Sequence, residues 1–252
     1  KDKKLEAVLI ELRLLPHLSF IIKNAIYRLG LNWSFTIICG INNYEFIKNI
    51  TSQIQGYIRI IKLDKSNLTR EEYSIMLLNS QFWKQFHGEM ILIYQEDSII
   101  FKKLDPKFLK YDFIGAPFSN KEIGNGGLSL RSKNIMIKIC EKYFDLYETN
   151  LMEKSQIIKE YKSYFIDKFG NKYFNNHKHY FLYALEKSLL EDLQITNRMK
   201  YHNIGKLPDF NTAIEFSTEK YYHDSPFGGH QFWYCMKDIT IWLDKNLYRL
   251  FN

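Results

Sequence analysis

The chain has 252 residues, 46% hydrophobic and 25% charged, which is enough for one large domain with a substantial core. Its longest apolar runs, such as Ala7–Ile10 and Ile91–Tyr94, are far shorter than the ~20 residues that cross a bilayer as a helix, which excludes a transmembrane helix. The net charge of +7 favours an anionic partner, but its sign does not distinguish nucleic acid, a membrane surface and phosphate compounds.

The amino-terminal residues and the cysteines bear on the compartment of the protein. Residues 1–6 lack the apolar segment of a signal peptide, which predicts an intracellular protein. The three cysteines, Cys39, Cys140 and Cys235, are odd in number, far apart and in apolar contexts. We expect reduced core residues rather than a disulfide framework or a zinc motif.

Apolar strand segments alternate with helical spacing over the first hundred residues. A helix is predicted from Phe20 to Leu29, before Gly30, and a second is capped by Asn67 or Thr69 and runs through Leu78. The predicted strands are Glu6–Arg13, Phe35–Cys39, Tyr57–Leu63 and Met90–Tyr94. This alternation predicts an α/β unit with a mostly parallel, buried sheet.

The rest of the chain departs from this alternation. Two short glycine-rich segments with strand character, 111–117 and 124–131, precede a helix predicted from Ser132 to about Tyr147. Residues 148–180 are polar and predict a surface loop, while helical spacing returns at 180–190 and from about 234 to 250. We find neither a repeat nor a linker, so residues 1–252 are predicted to form a single domain.

Two polar segments of the sequence could bind a ligand at the edge of the sheet. Glu96-Asp97 follows an apolar strand, where α/β sheets place ligands, and a carboxylate there suits Mg²⁺ or Mn²⁺ bridged to a diphosphate. The glycines around Asn125 let backbone amides approach a ligand, and Arg131 could face a phosphate. The alternatives are an acidic turn, a tight turn between strands and a solvated arginine.

Carboxylates and histidines further along the chain supply candidates for catalysis and metal binding. Glu191-Asp192 could provide a general base for an acceptor hydroxyl, or form a solvated helix surface. His230 in the segment Pro226–His230 could bind a metal or a phosphate, although a single histidine is more often structural. We assign no role to Glu71-Glu72, and none to His177 and His179, which no cysteine or carboxylate cluster accompanies.

Together, these segments resemble an uncharacterised family of GT-A-like glycosyltransferase domains found in bacteria, fungi and large DNA viruses. The resemblance spans residue 6 to about 234, and its most specific parts are the Gly-Ala-Pro and Gly-Asn-Gly-Gly blocks. The residues that carry it are Glu11-x-Arg13, Gln95-x-Asp97-Ser98, Tyr111-Asp112-x-Ile114-Gly115-Ala116-Pro117, Gly124-Asn125-Gly126-Gly127-x-Ser129-Leu130-Arg131, Glu191-Asp192, Phe216-Ser217-x-Glu219 and Pro226-Phe227-Gly228-x-His230.

The resemblance implies a GT-A fold with a nucleotide-binding half at about 1–100 and an acceptor half at about 101–252. In such enzymes a DxD-type motif holds Mn²⁺ or Mg²⁺ against the donor diphosphate. Here Asp97 would be the ligand, Ser98 stands where the second acid is expected, and His230 would complete the metal site. Glu96 would alternatively contact the ribose. The implied partners are a nucleotide-sugar donor and an acceptor. UDP is the expected nucleotide of the donor, and the acceptor would be a glycan, a protein or a small molecule.

The resemblance also implies roles in an inverting transfer. Asp192, with Glu191 as the alternative, would deprotonate the acceptor, although the family more usually has an Asn-Glu-Asp-like run there, followed by aromatic residues. Arg13 or Arg131 would neutralise the diphosphate. The remaining implied donor- or acceptor-binding residues are Glu11, Asn125, Gly126 and Gly127.

Three other functions are open at this stage. A nucleic-acid-binding module is one, because the chain has 41 aromatic residues and a positive charge. That charge is dispersed and no known nucleic-acid motif is present, so we expect no nucleic-acid partner. The others are a nucleotidyltransferase and a non-catalytic relative that still binds a sugar nucleotide. We expect a cytoplasmic location, in the host cell if the protein is viral.

Overall fold

A computed structural model describes residues 4–120, 122–144 and 190–235. Several predicted features lie outside the described residues. They are the polar segment at 148–180 with His177 and His179, nearly all of the helix at 180–190, and the carboxyl-terminal helix after Cys235.

Nine strands are present in the described part of the chain and form two sheets. The strands are β1 (Leu5–Ile10), β2 (Trp33–Cys39), β3 (Ile58–Lys62), β4 (Met90–Tyr94), β5 (Ser98–Ile100), β6 (Phe113–Gly115), β7 (Leu128–Ser132), β8 (Ser217–Thr218) and β9 (Gly228–His230). The six-stranded sheet has the order β3-β2-β1-β4-β7-β6, and the three-stranded sheet has the order β5-β9-β8.

The larger sheet is mostly parallel, as predicted. Strands β3, β2, β1 and β4 run in one direction, and β7 pairs antiparallel with both β4 and β6. Four predicted strands correspond to β1–β4, because β1, β2 and β4 are buried apolar runs and the half-buried edge strand β3 is rich in Ile. The sheet extends into the second half of the chain through β6 and β7, while the division at about residue 100 stays a prediction.

Helices cover both faces of the larger sheet. They are α1 (Leu18–Leu29), α2 (Tyr44–Ser52), α3 (Arg70–Leu77), α4 (Ser80–Lys84), α5 (Lys133–Tyr143), α6 (Glu191–His202) and α7 (Phe210–Phe216). Side chains of β1 alternate between two cores: Ala7 and Leu9 pack with α1 and α2, whereas Val8 and Ile10 pack with α3 to α6. None of the helices in the described ranges is long and apolar enough to cross a membrane.

The helix ends follow local sequence signals. Helix α1 ends at Gly30, whose φ of 81° suits glycine. Thr69 caps α3 in a capping box with Glu72, which gives that member of the unassigned acidic doublet a structural role. Helix α5 begins one residue after the predicted Ser132 and ends at Tyr143, before the predicted end at about Tyr147, with Phe144 as its C-cap residue.

Two predictions differ from the structure. The first strand ends at Ile10 rather than Arg13, because the buried Asn43 side chain binds the carbonyl oxygens of Glu11 and Arg13 and turns the chain there. Cys39 and Cys140 are buried free cysteines, as expected, but Cys235 is only partly buried.

Candidate functional site

A cavity of ≈ 690 Å³ opens at the carboxyl ends of β1 and β4. This is the edge at which α/β sheets bind ligands. The cavity brings together all of the predicted site residues except Ser98 and Arg131. Those that line it are Glu11, Arg13, Glu96, Asp97, Asn125, Gly126, Gly127, Glu191, Asp192 and His230.

Asp97 and His230 form one polar centre of the cavity. The distance between Asp97 Oδ1 and His230 Nε2 is 3.2 Å, but neither buried atom makes a hydrogen bond of acceptable geometry. Asp97 Oδ2 accepts a hydrogen bond from the Gln231 side chain at 2.7 Å. The arrangement leaves one carboxylate oxygen and one imidazole nitrogen without a hydrogen bond in two residues that line the cavity.

These two atoms fit a divalent cation that keeps several other ligands. Mn²⁺ and Mg²⁺ accept carboxylate oxygens, and Mn²⁺ also accepts imidazole, while a nucleotide diphosphate and water fill the other positions. The described residues contain no group of three or more His, Cys, Asp or Glu side chains arranged as a complete metal site. Within the described residues, Asp97 and His230 could hold a metal whose other positions a bound ligand supplied.

Glu219 is a neighbour of His230 that the sequence analysis left without a role. Glu219 Oε2 lies 3.5 Å from His230 Nδ1, and both side chains are buried. Burial lowers the pKa of His230, but the close contacts with the Asp97 and Glu219 carboxylates outweigh it and raise the pKa to about 9. Burial raises the pKa of Asp97, but the close contact with His230 and the hydrogen bond from Gln231 bring it below its usual value.

An ion-pair network occupies the end of the cavity next to β1. Glu11 accepts hydrogen bonds from the Arg13 backbone amide at 2.7 Å and from its guanidinium at 2.9 and 2.6 Å. The same guanidinium donates to Glu96 at 2.7 Å, and His17 lies 3.2 Å from the other Glu96 oxygen. Because two carboxylates already neutralise Arg13, its charge is largely compensated within the protein.

Glu191 and Asp192 form the second polar centre, in the first turn of α6. Glu191 pairs with Arg131 at 2.7 Å, while the Asp192 carboxylate accepts the Gly126 amide at 2.8 Å and the Leu193 amide at 2.7 Å. Burial and the neighbouring Glu191 charge raise the pKa of Asp192 to about 7, although backbone hydrogen bonds and Arg131 oppose the rise. The doublet is buried rather than a solvated helix surface.

Gly126 and Gly127 pack between the two polar centres. A Cβ on Gly126 would lie 2.7 Å from Glu191 Oε1, and a Cβ on Gly127 would lie 2.3 to 2.5 Å from three atoms of the His230 ring. The Asn125 side chain accepts a hydrogen bond from the Gly127 amide at 2.9 Å, which holds the turn. The glycines therefore let both the carboxylate pair and the imidazole approach the backbone.

Ser98 and Arg131 do not line the cavity and require a correction. Ser98 is buried and its hydroxyl donates to the Gly127 carbonyl at 3.0 Å, so it joins two loops and does not replace a second acid. Arg131 is fully buried, with its guanidinium 4.5 Å from the Phe113 ring centroid and paired with Glu191.

The cavity is acidic although the chain is basic. Among the described lining residues, seven carboxylates (Glu11, Glu96, Asp97, Glu122, Glu191, Asp192 and Glu219) face three full cations (Arg13, Arg70 and Lys220) and His230. The sequence analysis missed Arg70, Lys220 and Glu219. Only Glu219 had a signal, as part of the Phe216-Ser217-x-Glu219 pattern.

Residues 57–230 match a protein family described as protein of unknown function (DUF5672). The chain belongs to this family. Glu11 and Arg13 precede the matched range, which contains all the other predicted site residues of the DUF5672 domain. No curated protein matches the chain in sequence.

Solved structures show the fold of the DUF5672 chain. The apo form of the glycosyltransferase GlyE from Streptococcus pneumoniae TIGR4 has a TM-score of 0.51 and 13% identity, and the match covers 98% of this chain and 62% of GlyE. The chain thus spans less than two thirds of GlyE. This likeness shows a GT-A-like α/β fold.

Two further solved structures are less similar. The mannosyltransferase PcManGT from Pyrobaculum calidifontis, in complex with GDP-Man and Mn²⁺, has a TM-score of 0.41 and 7% identity over 55% of this chain and 47% of its own. A 4-diphosphocytidyl-2C-methyl-D-erythritol synthase from Anaerococcus prevotii DSM 20548 has a TM-score of 0.40 and 14% identity, over 64% of this chain and 84% of its own.

Proposed function

We propose that this protein is a metal-dependent glycosyltransferase that moves a sugar from a nucleotide-sugar donor, with UDP as the expected nucleotide, to an acceptor hydroxyl. The acceptor would be a glycan, a protein or a small molecule. The observation that carries the proposal is the facing pair of buried, unbonded atoms, Asp97 Oδ1 and His230 Nε2, in an acidic cavity of a GT-A-like fold.

The charge of the cavity supports a requirement for Mn²⁺ or Mg²⁺. Carboxylates outnumber cations along the cavity, so an anionic donor would be repelled unless a cation stood between the diphosphate and the protein. Asp97 and His230 would hold that cation. When bound, it would supply Lewis-acid neutralisation of charge on the leaving diphosphate.

Arg70 and Lys220 are the protein cations that we assign to the diphosphate, in place of Arg131 and ahead of Arg13. Both line the cavity, and neither forms a salt bridge with the described residues. Arg13 already binds Glu11 and Glu96. We propose that Arg13 instead shapes the nucleoside end of the cavity, where Glu96 would remain available to a ribose hydroxyl.

Asp192 is the residue that we propose as the general base of an inverting transfer. It lines the cavity, its raised pKa brings proton acceptance close to neutral pH, and Gly126 and Leu193 fix its carboxylate. Glu191 is the weaker candidate, because it already pairs with Arg131. Asp192 would take the acceptor proton as the hydroxyl oxygen attacks the anomeric carbon and the nucleoside diphosphate departs.

Thermal stabilisation by sugar nucleotides tests the proposal. We expect one of a set of UDP-, GDP- and CMP-sugars to raise the melting temperature with Mn²⁺ but not with EDTA, since a ligand of the native state shifts unfolding. Asp97→Asn should abolish the shift. The control is Asp64→Asn, which changes an exposed aspartate outside the cavity and should retain the shift.

Two results would contradict the proposal. An equal shift in Mn²⁺ and EDTA would argue against the metal. A shift retained by Asp97→Asn would remove Asp97 from the metal site.

A further inference from the structure

The three-stranded sheet places three ionisable side chains in one row. Asp97 immediately precedes β5, His230 ends β9 and Glu219 immediately follows β8. Ser98 pairs with His230, and Thr218 pairs with Gly229, so the register carries Glu219 and Asp97 to opposite sides of the same imidazole. These strands are too short to add much to the core. Their pairing places the His230 side chain between those of Asp97 and Glu219.

The two nitrogens of His230 face different carboxylates. Nε2 lies 3.2 Å from Asp97 Oδ1, and Nδ1 lies 3.5 Å from Glu219 Oε2. Glu219 Oε2 and both ring nitrogens are buried and have no hydrogen bond of acceptable geometry. Because a buried carboxylate without a partner destabilises the fold, this contact needs an explanation beyond stability.

The backbone of Gly127 restricts the His230 ring from a third side. The site of a Gly127 Cβ would lie within 2.5 Å of three ring atoms, so the imidazole packs directly against the backbone there. Because the ring is held in place in this way, its ability to bind a metal through Nε2 depends on which ring nitrogen carries the proton. A metal that binds Nε2 displaces any proton from that nitrogen, so the ring of the complex keeps its one remaining proton on Nδ1.

We propose that Glu219 is a positioning residue whose 3.5 Å contact with His230 Nδ1 becomes a hydrogen bond from Nδ1–H when Nε2 binds a divalent cation shared with Asp97. This inference rests on the proposed function, because it presupposes the cation. Carboxylates on the outer nitrogen of a metal-bound histidine fix its tautomer and raise its basicity. Glu219 lies on the side of the ring away from Asp97, so it supports the ligand and does not bind the metal.

Titration with Mn²⁺ alone, followed by the electron paramagnetic resonance signal of the free ion, measures the effect. We expect Glu219→Ala to weaken Mn²⁺ binding by about 10- to 100-fold, the usual effect of losing such a partner. Glu219→Gln should restore most of the affinity, because its amide oxygen still accepts the Nδ1–H bond. The matched control is Glu45→Gln, an exposed glutamate of α2 outside the cavity, which should bind like the wild type.

The imidazole proton gives a second readout that needs no activity. In ¹⁵N-histidine-labelled protein, the Nδ1–H resonance of His230 should be protected from exchange in the wild type and in Glu219→Gln, and lost in Glu219→Ala. A melting curve of each variant establishes that the fold is retained.

Each remaining outcome would overturn the inference. Unchanged Mn²⁺ affinity in Glu219→Ala would remove Glu219 from the site and leave the proposed function intact. Equal losses in Glu219→Gln and Glu219→Ala, with the Nδ1–H resonance retained in Glu219→Gln, would make Glu219 a direct ligand. Absence of Mn²⁺ binding by the wild type would overturn the metal centre and this inference together.

Discussion

At the residue scale, Arg131 and Arg70 show that an arginine near a candidate site can have two different roles. Arg131 on β7 is fully buried beside Glu191, Phe113 and Trp83, whereas Arg70 begins α3 at the rim of the cavity. The sequence could not separate them, because burial depends on which face of a strand packs against later helices. Asp192 poses the same problem, since its burial depends on contacts with Gly126.

Replacement of the two arginines separates stability from binding. Arg131→Ala leaves Glu191 buried without its partner, so we expect the free energy of unfolding to fall by about 3–5 kcal/mol in urea denaturation. Arg70→Ala should leave stability nearly unchanged and weaken donor binding. A donor-binding defect in Arg131→Ala without loss of stability would restore Arg131 to the diphosphate.

The raised pKa of Asp192 predicts the pH dependence of turnover. A carboxyl group must be deprotonated to act as a base, so log kcat should rise with a slope of about one and level off above about pH 7. Asp192→Asn should reduce kcat by on the order of 10²–10⁴-fold without changing Mn²⁺ or donor affinity. Turnover that survives the substitution would leave Asp192 only the role of binding the Gly126 amide.

At the element scale, four strands and two helices of the first hundred residues were predictable, whereas the twelve-residue helix α6 and the short strands β5, β8 and β9 were not. Strands β1–β4 are apolar runs of five to seven residues, and α1 and α3 have helical spacing or a cap, so local sequence suffices. Strands β5, β8 and β9 have two or three residues and no measurable alternation. They form because they pair with each other, which is a non-local effect.

The two neighbouring glycines between the polar centres should have separable effects. In Gly127→Ala the new Cβ would displace the His230 ring, so we expect weaker Mn²⁺ binding. In Gly126→Ala it would displace Glu191 and Arg131, so turnover and stability should fall while Mn²⁺ affinity is retained. Titration with Mn²⁺ and turnover kinetics of both variants test this prediction. Equal losses of Mn²⁺ affinity in the two variants would contradict it, because they would show that either substitution displaces the whole turn.

At the scale of the whole molecule, composition gave the charge of the chain but not its distribution. The chain carries +7, yet the cavity gathers seven carboxylates from segments as distant as Glu11 and Glu219. The approximate position of the site was predictable, because strand ends in α/β sheets meet at one edge. The pairing of Glu219 with His230 was not, because it depends on the register of the small sheet.

This distribution of charge predicts an unusual salt dependence. In EDTA, UDP affinity should rise or stay constant between about 0.01 and 0.15 M KCl, since the Debye length falls from about 30 to 8 Å and screens the repulsion by the cavity. A protein that bound nucleotides through its overall positive charge would lose affinity over the same range. Equilibrium dialysis of UDP at the two salt concentrations measures the difference, and a loss would favour the nucleic-acid interpretation.

The hydrogen bonds of the Gly127 carbonyl connect the two loops at the proposed metal centre. This oxygen accepts both the Gln95 amide at 2.9 Å and the Ser98 hydroxyl at 3.0 Å, on either side of Asp97, while the Gln231 backbone amide donates to the Asp97 carbonyl at 3.1 Å. Hydrogen bonds therefore already join the backbone segments that carry the two proposed metal-binding side chains when no ion is bound. Binding would need little ordering, so we infer that it proceeds with a small change in heat capacity and at a rate set by water exchange on the ion rather than by motion of the protein.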